Sequence, residues 1–421
     1  MALRESPFIE SLLRVTVGIV IGFIMAIVAS TFLLIADFLS TVDKFIDPFF
    51  VDGWTKWKIA IPSVLLTAAA VLIFFVRRIF GIRRFHGPGD TIAAVQSNKR
   101  LDIRTGIGST LVAMISVGGG ASVGQYGPLV HFGGTVGAVI SHIFRSKIPA
   151  STWIGCGVAG AIAAGFGTPL AAIVFSHEVV LRRFSIPAIA PISLSAITAS
   201  MVADKILVGK RTHFDQVIDG TMAELLPFVV LSAPVFAITA VLFMKFLATA
   251  LDKLGPLSAK SIWPSVTAAL FCGLLGILVP GALGLGIDVI ADLLHDNLAM
   301  TAVVVLVVAK IVFTTISIGA GLHGGIFLPS MFIGAGVGCL LGKAATAFGV
   351  VAGASLSLAG MAAVSAAVFG APISTVLIVL EFTRSYEATI FSIVAVTICT
   401  LISHQVYAPS FFDRKTNRSG S

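Results

Sequence analysis

Charge is scarce in this chain: only 11% of its 421 residues are Asp, Glu, Lys or Arg, against 57% hydrophobic. A water-soluble core of that length does not need so much apolar surface, so the composition excludes an ordinary soluble globule and places the chain in a bilayer. Cysteine is equally sparse. Cys156, Cys272, Cys339 and Cys399 lie inside apolar stretches with no ligand-like spacing, so they are expected to pack as small apolar groups, and no metal site is expected. HExxH, a Walker loop and a C-x-x-C pair are all missing, which argues against an enzyme. Segment 12–39 is too long for a cleavable signal peptide and lacks a small-residue cleavage site, so it is expected to stay as a membrane helix.

The net charge of +8 would suggest nucleic acid in a soluble protein. Here the basic residues cluster in short loops between apolar runs, which is the positive-inside pattern, and no nucleic-acid partner is expected. Segments 12–39 and 59–80 are each long enough to cross a hydrocarbon core of ~30 Å. Arg4 and Arg14 precede or enter the first, and Arg77, Arg78, Arg83 and Arg84 follow the second, so both ends of this hairpin read as cytoplasmic. Segments 104–116, 125–144, 151–165 and 169–182 are short or interrupted, as helices that meet at mid-membrane must be. Runs at 186–202 and 225–251 follow, with Lys205, Lys210 and Arg211 between them, and a last run covers 390–402.

Glycine, by contrast, is abundant, with 42 residues. Residues 118–128, GGGASVGQYGP, hold five glycines in eleven positions, which brings backbone close to something instead of packing side chains. Such a turn opening into a helix presents unpaired N–H groups and the positive end of the helix dipole, an anion site made of backbone. The pattern returns at 319–329, GAGLHGGIFLP, with Gly118, Gly120, Gly124 and Pro128 answered by Gly319, Gly321, Gly325 and Pro329. A longer repeat surrounds the prolines: GVAGAIAAGFGTPLAAIVFSHE ends at Glu178 and GMAAVSAAVFGAPISTVLIVLE ends at Glu381. Phe166, Gly167, Pro169 and Glu178 all recur 203 residues later. Duplicated halves with interrupted helices indicate a pseudo-twofold transporter.

GQYGP at Gly124 and GGIFLP at Gly324 resemble the G-R/K-E-G-P and G-G-x-F-x-P motifs of the CLC chloride channels and proton-coupled anion exchangers, and the resemblance covers nearly the whole chain. It implies an all-α polytopic membrane protein with the CLC-type fold of two inverted repeats and broken, tilted helices. The expected layout is a single transmembrane domain over 1–421, with repeats at about 12–203 and 225–407. The resemblance implies a multi-pass membrane location with both termini cytoplasmic, a homodimer in lipid, and chloride or a similar monovalent anion as the transported ligand, with no cofactor. The chain stops at Ser421, so the paired cytoplasmic regulatory domains of larger members are not expected. The implied anion donors are the amides of Gly124, Gln125, Tyr126, Gly127, Ile326 and Phe327 and the Tyr407 hydroxyl, with the turn at Pro88 and Gly89 completing the site. Pro88 stands where the family carries serine, which puts anion preference in question. Asp90 and Thr91 also depart from G-S-G-I-P, and Asp90 is expected to be a helix N-cap.

Tyr126 occupies the position of the family's gating glutamate and is the expected gate. A neutral phenol cannot compete with chloride by charge or carry a proton, and aligning 170–178 puts Val179 where exchangers carry their internal glutamate. The expected function is therefore a passive, uncoupled chloride channel. An anion/proton exchanger that uses histidine or water, with His131, His177 or His323 as carriers, is the alternative, and a non-conducting regulatory or assembly paralogue is the third. The equivalent placement of Glu178 and Glu381 predicts a structural role at helix ends. Only three tyrosines exist beside 31 phenylalanines, so a hydroxyl is expected to matter at Tyr126 and Tyr407.

Overall fold

A computed structural model describes residues 7–40, 61–97, 101–144, 148–207, 214, 221–350 and 352–413. Arg4, Lys210 and Arg211, used above to orient the chain, lie outside the described residues, as do positions 59 and 60 of the second run. The described residues form sixteen α-helices and no strand. The first half contains α1 (Pro7–Ser40), α2 (Ile61–Phe80), α3 (Pro88–Gln96), α4 (Ile103–Gly118), α5 (Tyr126–Phe144), α6 (Ala150–Phe166), α7 (Pro169–Phe175) and α8 (Ile186–Ile206). The second contains α9 (Met222–Lys260), α10 (Trp263–Gly276), α11 (Ile287–Leu294), α12 (Met300–Gly319), α13 (Phe327–Thr346), α14 (Gly353–Phe369), α15 (Pro372–Thr383) and α16 (Tyr386–Val406). Eight of these are long and apolar enough to cross a membrane, while α4, α6, α10, α14, α15 and the segment 169–181 are shorter apolar helices.

The broken helices follow from local sequence. Left-handed Gly167 and Gly370 end α6 and α14, and Pro169 and Pro372 restart the chain at the first turn of the next helix, where a missing N–H costs nothing. Inside each repeat the helices meet backbone to backbone. A Cβ on Gly133 would lie 2.4 Å from the Gly157 carbonyl oxygen, and one on Gly334 would lie 2.2 Å from that of Gly360. Small residues at these crossings let dispersion between backbones hold helices together where lipid supplies no hydrophobic drive.

The repeat prolines and glutamates show how the two halves run. The Glu381 carboxylate accepts from the Leu170 and Ala171 N–H groups at 3.0 and 2.9 Å, and the Glu178 carboxylate accepts from those of Ile373 and Ser374 at 2.9 Å each and from the Ser374 hydroxyl. The start of α7 thus meets the end of α15, and the start of α15 meets the segment after α7. The pair is antiparallel and the repeats are inverted. Each carboxylate satisfies two orphan N–H groups and faces the positive end of a helix dipole. Glu381→Ala is expected to destabilise the fold by about 3 kcal/mol, since one hydrogen bond to a charged group contributes ~1.5–3. Glu178→Ala should cost at least as much. Thermal unfolding in detergent measures both, and a midpoint equal to the parent's would rule out the clamp.

Segment 169–182, read from the sequence as short or interrupted, is divided: α7 stops at Phe175 and gives way to a π-helical turn, Ser176–Leu181. Left-handed Arg182 stands four residues after Glu178, whereas its counterpart Arg384 stands three after Glu381. The wide turn absorbs the one extra residue without moving the clamp. The run 225–251 extends to Met222–Lys260, and its start is fixed by a capping box of Thr221 and Glu224, with the Thr221 N–H donating to the Glu224 carboxylate at 3.1 Å.

Candidate anion site

The two glycine turns bond to each other. The Gly124 N–H donates to the Gly325 carbonyl at 2.7 Å and the Gly325 N–H donates to the Gly124 carbonyl at 2.5 Å, a two-residue antiparallel bridge between the repeats. Only glycine permits it: a Cβ on Gly325 would lie 2.7 Å from the Gly127 nitrogen and 3.0 Å from the Gly124 oxygen. Gly120 and Gly321, with φ of 85° and 98°, supply the left-handed residue that turns each chain toward the bridge. This corrects one expectation. The Gly124 amide is not an anion donor, because its proton is spent on the bridge.

Beside the bridge lies a cavity of about 680 Å³. Its inner end is lined by Pro88, Gly89, Gly127, Ile326, Phe369 and Phe412, and Arg77, Arg83, Arg84 and His323 also line it. The first turns of α3, α5 and α13 therefore converge on one space. Three helix N-termini bring partial positive charge there without a full countercharge, which suits an ion that must leave again. The amides of Gln125 and Ile326 donate to no backbone acceptor among the described residues. Phe327 begins α13, so its N–H is one of the helix's orphan donors.

Asp90 is not the N-cap of α3. Gly87 takes that place, and the Asp90 carboxylate, three residues on, reaches back to accept from the Gly87 N–H at 2.9 Å and pairs with Arg84. Pro88 takes the first helical position, so the helix starts three residues earlier than expected, and the carboxylate then serves the first turn.

Tyr126 sits behind the bridge, buried, with its ring stacked on Phe166 at a centroid distance of 3.5 Å and the Gln125 side chain within polar reach of its hydroxyl. From Phe166 a chain of ring contacts continues through Phe327 (5.4 Å) and Phe369 (4.9 Å) to Phe412 (5.1 Å). Phe166 and Phe369 are the repeat-related pair, one on each side of Phe327.

Tyr407 is not on the cavity. α16 runs on to Val406, so Tyr407 falls at its C-terminal cap, and its ring lies 5.9 Å from the Lys245 ammonium on α9. Five more residues bring the chain back to the Pro88–Gly89 turn, and there the aromatic side chain is Phe412. Sequence reasoning missed it because nothing local says where an apolar helix stops among residues of similar propensity.

Of the histidines, His131 shares a 2.8 Å hydrogen bond with the Thr91 hydroxyl, His323 meets the His86 carbonyl at 3.0 Å, and His177 meets the Arg183 carbonyl at 3.2 Å. Val179 is buried within the π-helical turn.

The profile of the family described as "Voltage gated chloride channel" matches residues 68–404. The chain is 24% identical over 366 residues to the voltage-gated ClC-type chloride channel ClcB of Escherichia coli O17:K52:H18 (strain UMN026 / ExPEC), covering 86% of this chain and 88% of that one. The ClcB of Shigella flexneri is as similar. Among solved structures, a slow cyanobacterial Cl−/H+ antiporter superimposes with a TM-score of 0.81 at 18% identity, covering 96% of this chain and 97% of that one. A CLC-type fluoride/proton antiporter superimposes with 0.79 at 22% identity, covering 97% and 98% respectively. A eukaryotic CLC transporter gives 0.82 at 20% identity, covering 97% of this chain and 75% of that one. With an inverted-repeat fold, bonded glycine turns and three helix N-termini on one cavity, the chain belongs to the voltage-gated chloride channel family.

Proposed function

We propose that the protein is a passive channel for chloride or a similar monovalent anion, whose path passes the cavity, the amides of Gln125, Tyr126, Gly127, Ile326 and Phe327, and the ring of Tyr126 as gate. One observation carries this reading: a buried phenol stands beside the glycine bridge, where coupling requires a carboxylate. A phenol with an ordinary pKa of ~10 is neutral at physiological pH, so it neither mimics an anion nor takes up a proton. Val179, apolar and buried at the second proton-handling position, supports the same conclusion. On this reading the chain is one transmembrane domain that works as a homodimer in lipid, with one path per subunit, both termini cytoplasmic, no cofactor and no enzymatic activity. The arginine-lined mouth of the cavity faces the cytoplasm.

Proton exchange through histidine is the second reading. It draws on His323, which lines the cavity, and on the similar structures described as antiporters. Flux from purified protein in liposomes separates the two. The channel reading expects a reversal potential that follows the chloride Nernst potential and stays near zero under a pH gradient alone. Uphill proton movement driven only by chloride would overturn it, and the absence of any anion flux would leave only a non-conducting paralogue.

A further inference from the structure

At the inner end of the cavity the α3 turn offers few donors for an anion. Pro88 has no N–H. The Asp90 and Thr91 N–H groups are turned to the Gly87 carbonyl, at 2.9 and 3.4 Å. That leaves Gly89 at the start of α3, and the Phe412 ring lies over it: a Cβ on Gly89 would meet Phe412 Cδ1 at 3.1 Å. The Asp90 carboxylate, although paired with Arg84, also opposes the positive end of this helix. Around the space stand ring surfaces, Phe369 and Phe412 in edge-on contact at 78° and Phe411 beside them.

Phe412 is held by a short strap. The Phe411 N–H donates to the Val368 carbonyl at 2.9 Å, and the Ser410 hydroxyl donates to the Asp413 carboxylate at 2.7 Å. Asp413 in turn pairs with Arg182, at the end of the π-helical turn. A Cβ on Gly370 would come 2.8 Å from Ser410 Cβ, so the strap lies flat on the end of α14.

We propose, building on the channel reading above, that Phe412 is a specificity-determining residue of the anion path, set in place by the Arg182–Asp413 ion pair, and that it makes the path select weakly hydrated anions such as thiocyanate and nitrate over chloride, with fluoride last. An anion entering this end loses water and receives in return one amide from α3 beside those at the starts of α5 and α13, together with ring edges where a hydroxyl could have stood. The dehydration term then dominates, and it is smallest for large, polarisable ions. Arg182 and Asp413 act through the ring they position.

The test is efflux of chloride, bromide, nitrate, thiocyanate and fluoride from liposomes carrying the full-length protein. Thiocyanate and nitrate are expected to exceed chloride by about tenfold, and Phe412→Tyr, which adds a hydroxyl to the same ring, to bring the nitrate-to-chloride ratio down by about tenfold, the effect of one hydrogen bond to an ion. Arg182→Ala and Asp413→Asn should each lower the ratio by roughly threefold while total flux persists, and the reversed pair Arg182→Asp with Asp413→Arg should restore it. A ratio unmoved by Phe412→Tyr with flux intact, or a fluoride-first order in the parent, overturns the assignment and leaves anion conduction standing. Absence of flux for every anion overturns both readings.

Discussion

Glutamate in place of Tyr126 is expected to give a conductance that is closed at neutral pH and opens in acid, with neutral flux roughly tenfold below the parent, an occupancy difference of about 1.4 kcal/mol. A carboxylate at this position is an anion next to helix-end amides, so it competes with the permeant ion for the same partial charges. Its block is present while the group is ionised and is lost as pH falls through the carboxyl range, near ~4.3 for an unperturbed glutamate. The parent, with a phenol there, should show no such dependence. Exchange should not appear in Tyr126→Glu, because Val179 still supplies no proton acceptor in the π-helical turn. Tyr126→Phe keeps the stack on Phe166 and is expected to conduct like the parent. The measurement is liposome flux between neutral and acidic pH. Acid-independent flux in Tyr126→Glu would place the side chain off the path.

The second large effect is expected at the bridge. Gly325→Ala should abolish anion flux while the protein still elutes as the parent does. The added methyl would sit 2.7 Å from the Gly127 nitrogen and 3.0 Å from the Gly124 oxygen, and both are backbone atoms of the opposing turn that cannot swing aside. Relieving the clash requires the two half-sites to separate, at an overpacking cost of about 1–3 kcal/mol, and with them the helix N-termini that share the ion. Gly255→Ala is the control, since its Cβ would meet nothing within 4 Å. Loss of flux in both variants, or in neither, would show that the bridge does not set the path.

The Tyr407 and Phe412 outcome shows where sequence reasoning stops. The repeat made Phe369 the counterpart of Phe166 and Glu381 that of Glu178, because each pair lies inside a motif copied with constant spacing, and each glutamate meets the start of the other repeat's helix. Phe412 has no copy, and its place depends on where α16 ends and how the chain returns to Gly89. The same holds for Gly124. Its glycine signature was legible as a backbone approach, yet the partner it approaches is Gly325 and not an ion.

What the sequence by itself determined is therefore what local composition and pattern can encode: residence in a bilayer from apolar run length, broken helices from Gly–Pro punctuation, the duplication from its 203-residue register, and two turns of close backbone approach from clustered glycines. Only the tertiary structure decided that the repeats run in opposite directions, that the two turns close on each other, that α7 relaxes into a π-helical turn around one extra residue, and that phenylalanine stands over the inner end of the cavity. The physical reason is separation along the chain. Apolar run length, Gly–Pro breaks and glycine turns are written in neighbouring residues, whereas each of these four features depends on contacts between segments far apart, whose partners no local propensity specifies.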